Sequence, residues 1–310
     1  MDTVGDLLRD ASPEVAAAFD EVPIPGALCF ALGVRDAGPG GGPVSLLDQP
    51  RGRTAMLVGP GVLRADVVDG LREFAAAAHV GVANTWGAKG VFNWDSPHHL
   101  GTCGLQARDF ELLGFAELDL LWTVGLDPLE SPPARFALGA KVVPIRPADL
   151  TTFAPHVARS PNPIELPPLF ERLAAVAQPG YVDERVPRHP ARAVMEIKQR
   201  MAPGAIVTAQ PGPAGLWMAR TFPTDAPGTV VVPAISIPGI GAALALAATR
   251  AGRPATVVTT APLDDATRGV LELADQLDAP VTLEAWSDDV DLSLTELLVD
   301  AAGPVVAWAP

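Results

Sequence analysis

Between Thr85 and Gly104 the chain gathers residue types that can meet a ligand: Thr85, Gly87, Lys89 and Gly90, then His98-His99, Gly101, Cys103 and Gly104. Glycines let a backbone approach a bound group closely, and a lysine offers a compact charge suited to phosphate. The stretch follows the apolar run Val80–Asn84 and precedes a helix-like segment. It therefore reads as a loop at the carboxyl end of a strand, where open α/β sheets hold ligands. The neighbouring alternatives are weaker. Adjacent histidines point in different directions, and two nitrogens do not complete a zinc site. His98-His99 reads as capping strand ends or meeting a phosphate. Cys103 has no charged sequence neighbour to lower its pKa, which argues against a nucleophile. No Gly-x-Ser-x-Gly elbow occurs, against a hydrolase of that kind. Gly59-Pro60-Gly61 lacks the third glycine of a dinucleotide fingerprint, and Pro60 removes an amide. Trp86, Trp94 and Trp122 suit either a shared cleft or simple packing. No residue is assigned a catalytic role.

The elements that must position this loop alternate regularly. Thr54–Val58, Val80–Asn84, Leu120–Val124 and Lys141–Ile145 read as buried strands. Arg64–Ala78 has helical spacing, with Val67, Val68, Leu71, Phe74 and Ala75 on one face, and Leu105–Phe115 and Leu166–Val176 are further helix candidates. The pattern then restarts, with strands at Ala205–Ala209, Thr229–Val232, Ala255–Thr259, Val281–Ala285 and Val305–Trp308. Helices alternate with them at Gly215–Phe222, Ile240–Ala251, Asp264–Leu277 and Leu292–Ala301. This predicts an α/β protein of two doubly wound, parallel-sheet, Rossmann-like domains. Length agrees: 310 residues suggest two domains. The expected layout is an N-terminal segment and linker (1–45), a first domain (46–180) and a second (181–310), with the boundary in Ala177–His189. Val4–Phe19 reads as a helix, and Gly38-Pro39-Gly40-Gly41-Gly42-Pro43 as a linker.

Composition removes whole classes of function. The formal charge is −14 with no basic patch, which disfavours nucleic acid and anionic membranes as partners. Two cysteines make neither a disulfide framework nor a metal site. The acidic N-terminus is unlike a secretory signal, and no apolar run reaches the roughly 18 residues of a spanning helix. A cytoplasmic protein is expected. Abundant Ala, Arg, Pro and Gly with little Lys suggests a GC-rich bacterial genome.

Taken together and in order, "AMLVGPGV", "VGVANTWGAKGVFNWDSPHHLGTCGLQ" and "ELDLLWTVGLD" resemble the central domain of thiamine-diphosphate-dependent enzymes of the acetolactate synthase, oxalyl-CoA decarboxylase and benzoylformate decarboxylase type. The matching positions are Gly59 and Gly61, Thr85 with Lys89 and Gly90, Pro97 with Gly101 and Gly104, and Asp119 with Gly125 and Asp127. The resemblance implies that Gly59, Gly61, Thr85, Lys89, Gly90, Gly125 and Asp127 border a nucleotide pocket for FAD, ADP or CoA. The second half is similar to that family's C-terminal, diphosphate-binding domain. "IVTAQPGPAGLWMARTF" matches its opening, and "SIPGIGAALALAATRAGRPATVVTT" its glycine turn, helix and strand. Gly239 and Gly241 would then form the diphosphate turn.

The same resemblance marks departures. In the family the strand ends in Gly-Asp-Gly, with asparagines further on, and the Asp and Asn bind the Mg²⁺ that bridges the diphosphate. Here the positions read Thr260-Ala261-Pro262. Alanine brings no ligand oxygen, and a hard cation needs at least one carboxylate. Asp264 and Asp265 look like N-terminal helix acids. Asp288 and Asp289 fall near the asparagine positions, yet also suit a capping turn, so Asp288 is at most a metal candidate. The 45 residues ahead of the central domain are too few for the pyrimidine-binding domain whose glutamate activates the cofactor. "GGPVSLLDQP" resembles only its close. The expectation is a catalytically degenerate homologue acting in assembly or regulation, as a homo-oligomer or with a catalytic relative. The alternatives are a thiamine-diphosphate-binding subunit of a split enzyme (a 2-oxo acid decarboxylase, carboligase or lyase) and a nucleotide sensor.

Overall fold

A computed structural model of the chain describes residues 2–35 and 49–292. Two parallel sheets carry the fold. Strands β1 (Thr54–Val58), β2 (Gly81–Thr85), β3 (His99–Cys103), β4 (Leu120–Val124) and β5 (Lys141–Ile145) form the first, in the order β3-β2-β1-β4-β5. Strands β6 (Ile206–Ala209), β7 (Val230–Val231), β8 (Ala255–Thr260) and β9 (Val281–Trp286) form the second, in the order β7-β6-β8-β9. All pairings are parallel, with Met56 opposite Val82 and Trp122, and Thr208 opposite Val231 and Val257. Every residue of β2, β3 and β4 is buried, as expected of a sheet covered on both faces.

Thirteen helices surround these sheets among the described residues: α1 (Val4–Leu8), α2 (Pro13–Ala17), α3 (Gly26–Leu32), α4 (Gly61–Arg64), α5 (Val68–Ala78), α6 (Asp109–Leu112), α7 (Pro133–Phe136), α8 (Leu150–Phe153), α9 (Pro168–Gly180), α10 (Pro190–Arg200), α11 (Pro213–Thr221), α12 (Ile240–Arg250) and α13 (Asp265–Gln276). The amphipathic stripe foreseen for Arg64–Ala78 survives in α5, which buries Val68, Leu71, Phe74 and Ala75. Asp264 caps α13 by accepting the Thr267 amide.

Four expectations change. Val4–Phe19 is two short helices, because Ser12 and Pro13 start a fresh one: the Ser12 side chain accepts the Val15 amide and proline takes the first helical position. The Thr85–Gly104 stretch is not all loop, since its second half pairs with β2 as edge strand β3. Leu105–Phe115 holds only the short α6, ended by Gly114 at φ +72°. Helices α3, α7, α8 and α10 lie outside the expected helices, and α4 forms where a glycine break is expected before Arg64. The linker at 38–43, the "GGPVSLLDQP" close before position 49, the helix expected at Leu292–Ala301 and the strand at Val305–Trp308 lie outside the described residues.

The halves are not separately packed. One apolar core runs from Val4, Leu8 and Phe19 through Met56, Phe74 and Trp122 to Leu244 and Leu246 of α12. A second joins Ala83, Phe110 and Leu169 to Trp217, Phe222 and Trp286. The N-terminal helices touch both halves, with α3 against α4 and α12 and α1 against α12.

Candidate functional site

The two central strands β1 and β4 send their connections in opposite directions, so their carboxyl ends form the switch point where a ligand is expected. The residues found there are the predicted ones, drawn together too tightly for a ligand. Gly59 donates its amide to the Val124 carbonyl at 2.9 Å, and Gly61 to the Gly125 carbonyl at 2.8 Å. Both amides that could face a phosphate are thus spent on the end of β4. A Cβ on Gly59 would lie 2.5 Å from the Gly125 oxygen, and one on Gly61 2.7 Å from its Cα. Gly125 itself sits at φ +57°, and a Cβ there would lie 2.7 Å from the Val62 amide nitrogen. Gly125→Ala therefore combines a left-handed backbone with a backbone collision, and should lower stability by about 2–3 kcal/mol in urea unfolding.

The chain also covers this crevice. Gly26, opening α3, packs on Pro60, where a Cβ would come within 2.6 Å of the proline Cβ. What remains between Pro25, Pro60, Asp127, Glu130 and Ile235 is a cavity of about 30 Å³, room for a water or two rather than an adenine nucleotide. Asp127 is engaged locally, accepting the Leu129 amide at 3.0 Å and lying 3.8 Å from Arg64. A roomier cleft of about 420 Å³ opens at the opposite, amino end of the sheet, between Arg53, Gly81, Leu100 and the segment around Pro163. None of the residues lining it has an unpaired buried polar atom.

Thr85 and Lys89 face inward. The Thr85 hydroxyl and the Gly87 amide both donate to the carboxyl of Glu130, which is 4% exposed. Burial raises the Glu130 pKa to about 8, with those two hydrogen bonds pulling the other way. Between pH 4.5 and 8 the folded chain thus holds a proton that the unfolded chain releases, so stability falls as pH rises through that window. Glu130→Gln removes the linked proton. Its stability relative to wild type should grow by about 3–5 kcal/mol from pH 4.5 to 8, read from denaturant midpoints at each pH.

Lys89 is fully buried, and its Nζ has no hydrogen-bond partner among the described residues. It lies 5.6 Å from the centre of the Trp94 ring. Burial, with some repulsion from Arg220, lowers its pKa to about 7. Gly90, at φ +92°, lets the loop press on the second half: a Cβ there would sit 2.5 Å from the Ala226 oxygen. The two histidines diverge as adjacent residues must. His98 Nδ1 meets the Val80 carbonyl at 2.8 Å, while His99 Nε2 meets the Asn84 side-chain oxygen at 3.2 Å. Burial and the neighbouring Lys89 lower the His99 pKa to about 4, so its ring is neutral at physiological pH. Burial raises the Cys103 thiol pKa, which keeps it unreactive. Trp122 packs edge-on against Phe74 in one core while Trp86 belongs to the other, so the three tryptophans do not share a cleft.

In the second half the switch point lies between β6 and β8. Gly239 and Gly241 open α12 there, as foreseen, but Gln210 reaches across the turn. Its Oε1 accepts the Gly241 amide at 2.9 Å and its Nε2 donates to the Ile237 carbonyl at 2.8 Å. A Cβ on Gly241 would lie 2.8 Å from the Gln210 amide nitrogen, and one on Gly239 3.0 Å from Ala266. Strand β8 runs into Ala261 and a cis Pro262, with the Ala261 amide held by the Trp286 carbonyl at 2.7 Å. Asp264 spends both carboxylate oxygens on Thr267, at 2.7 and 2.9 Å. Asp289 takes the Ser287 hydroxyl and Arg188, and Asp288 is exposed. These residues do not fit a magnesium-bridged diphosphate: the helix N-terminal donor is capped internally and no carboxylate stands at the strand end.

The residues that organise both sites were missed from sequence. Glu130, Gln210, Arg220 and Asp109 are joined to their long-range partners across 27 to 118 positions, and no local motif announces them. Arg220 of α11 is buried, donating to the Thr102 carbonyl, the Gln106 side chain and the Asp109 carboxylate. Among the described residues no group of three or more His, Cys, Asp or Glu is placed to hold a metal.

Comparison with curated proteins finds no match to this chain. Residues 45–153, which carry the entire first sheet, match the family model described as thiamine pyrophosphate enzyme, central domain. The stretch that holds β1 to β5 is therefore similar to the central domain of the thiamine pyrophosphate enzyme family.

Proposed function

We propose that the chain is a catalytically degenerate relative of thiamine-diphosphate enzymes, a pseudoenzyme that serves as an assembly or regulatory subunit. The observation carrying this reading is the Gln210 side chain bonded to the Gly241 amide beside Ala261-Pro262. A diphosphate would need that amide and a metal held by a carboxylate, and the chain has committed the first and replaced the second. The crevice of the central domain supports the same reading, since glycine amides, Pro60 and α3 fill it. The competing roles, a thiamine-diphosphate subunit of a split enzyme and a sensor of FAD, ADP or CoA, both require these packed turns to open.

For a partner surface, the connection between α9 and α10 offers Val182 and Val186, which are 77% and 92% exposed. Large apolar side chains displayed this fully suit contact with another chain. Light scattering on the purified chain, with affinity capture by thiamine-diphosphate enzymes of the same cell, tests the proposal. An oligomer, or a complex with such a relative, that weakens when Val182 and Val186 become aspartate is expected. A monomer that captures no relative overturns it.

A further inference from the structure

At the amino end of the first sheet, the cleft of about 420 Å³ has room for a small organic molecule. Its outer wall is the stretch 160–168, with prolines at 161, 163, 167 and 168. Proline fixes its own φ and holds the preceding residue extended, so this wall is set before anything binds. The Ser160 amide anchors it by donating to the Ala78 carbonyl at 2.7 Å. The floor is apolar, made by Leu100 of β3 with Leu113, Leu118 and Ile164. Gly81 of β2 makes room for that floor, since a Cβ there would lie 2.6 Å from the Leu100 side chain.

One end of the cleft gathers donors. Arg53 and His79 stand two residues ahead of Ala55 and Gly81, which lie opposite one another in β1 and β2. Ser160 joins them through its bond to Ala78, and its hydroxyl oxygen accepts the Asn162 amide at 3.4 Å. The Ser160 hydroxyl hydrogen, the Asn162 side-chain amide and the exposed Arg53 guanidinium have no hydrogen-bond partner among the described residues. Glu165 is the one carboxylate on the lining, and it lies three residues past Asn162, toward the start of α9. A cation and free donors at one end of an apolar trough select an anionic head on an apolar tail. We infer that the cleft binds a small aliphatic carboxylate, its head against Arg53, Ser160 and Asn162 and its tail over Leu100 and Leu118. The site lies at the opposite end of the sheet from the glycine crevice, so it stands whether or not the chain binds thiamine diphosphate.

Titration of the isotope-labelled chain with hexanoate at neutral pH and fixed ionic strength, followed by amide chemical shifts, tests the inference. The Gly81 and Leu100 amides should shift saturably, with a dissociation constant on the order of 1 mM. Each methylene removed from the tail should weaken binding by up to roughly fourfold, the factor for burying one CH₂. Hexylamine reverses the head charge and leucine adds an ammonium beside Arg53, so each should bind at least roughly fivefold more weakly. Arg53→Gln should weaken hexanoate by a similar factor with the thermal midpoint unchanged, because that side chain is exposed and bonded to nothing among the described residues. Ile164→Trp, which fills the cleft, should abolish the shifts. The absence of a saturable shift at Gly81 and Leu100, equal binding of hexylamine or leucine, or hexanoate affinity unchanged in either variant overturns the site.

Discussion

Arg220→Ala should destabilise the chain by about 3–5 kcal/mol, the cost expected when one partner of a buried ion pair is removed and the other is left uncompensated. Asp109 is completely buried, and without Arg220 it keeps the Gln106 amide as a donor at 2.9 Å. The Thr102 carbonyl and the Gln106 side chain lose a donor in the same step. Because Arg220 lies on α11 while Asp109 and Thr102 lie in the central domain, the loss falls on the contact between the halves. Urea unfolding followed by tryptophan fluorescence should show a lower midpoint, and the double variant Arg220→Met with Asp109→Leu should recover much of it, since an apolar pair leaves no orphaned charge.

Lys89→Met should act in the opposite direction. The variant is expected to gain about 3–5 kcal/mol at or below pH 7, because a fully desolvated amine is exchanged for an apolar side chain of similar shape. The pH dependence gives the sign. Burial lowers the Lys89 pKa from 10.5 to about 7, so between those values the unfolded wild type binds a proton that the folded state does not. Wild-type stability therefore rises with pH from 7 to 10.5, and the advantage of the variant shrinks over the same interval. Denaturant midpoints at pH 6 and pH 10 measure it. An advantage independent of pH would show that Lys89 is not desolvated as described.

The scaffold was readable because its signals are local. Strands such as Leu120–Val124 are short apolar runs bounded by turn residues, and the repeating strand–helix alternation leaves little choice but parallel sheets. The site was readable only as a set of positions. Gly59, Gly61 and Gly125 do meet at the switch point, and Gly239 with Gly241 does open α12. Whether such a turn faces a ligand or another part of the chain depends on residues far away in sequence. Gln210 fills one turn; Gly26 and the short α3, with no periodicity long enough to notice, cover the other. Lys89 shows the same limit. A lysine between glycines reads as a phosphate contact, and only the fold reveals that Trp94 and the second half enclose it.

We propose that Gln210 has closed the turn at Gly239 and Gly241 to a diphosphate, and no carboxylate among the described residues stands at the end of β8 to hold a metal. Isothermal titration of the purified chain with thiamine diphosphate in the presence of Mg²⁺ tests it most directly. The expected result is no saturable heat, whether Mg²⁺ is present or replaced by EDTA. Saturable binding that depends on Mg²⁺ would contradict the claim, because it would mean that Gln210 yields the Gly241 amide and that other oxygens replace the ligand missing at Ala261.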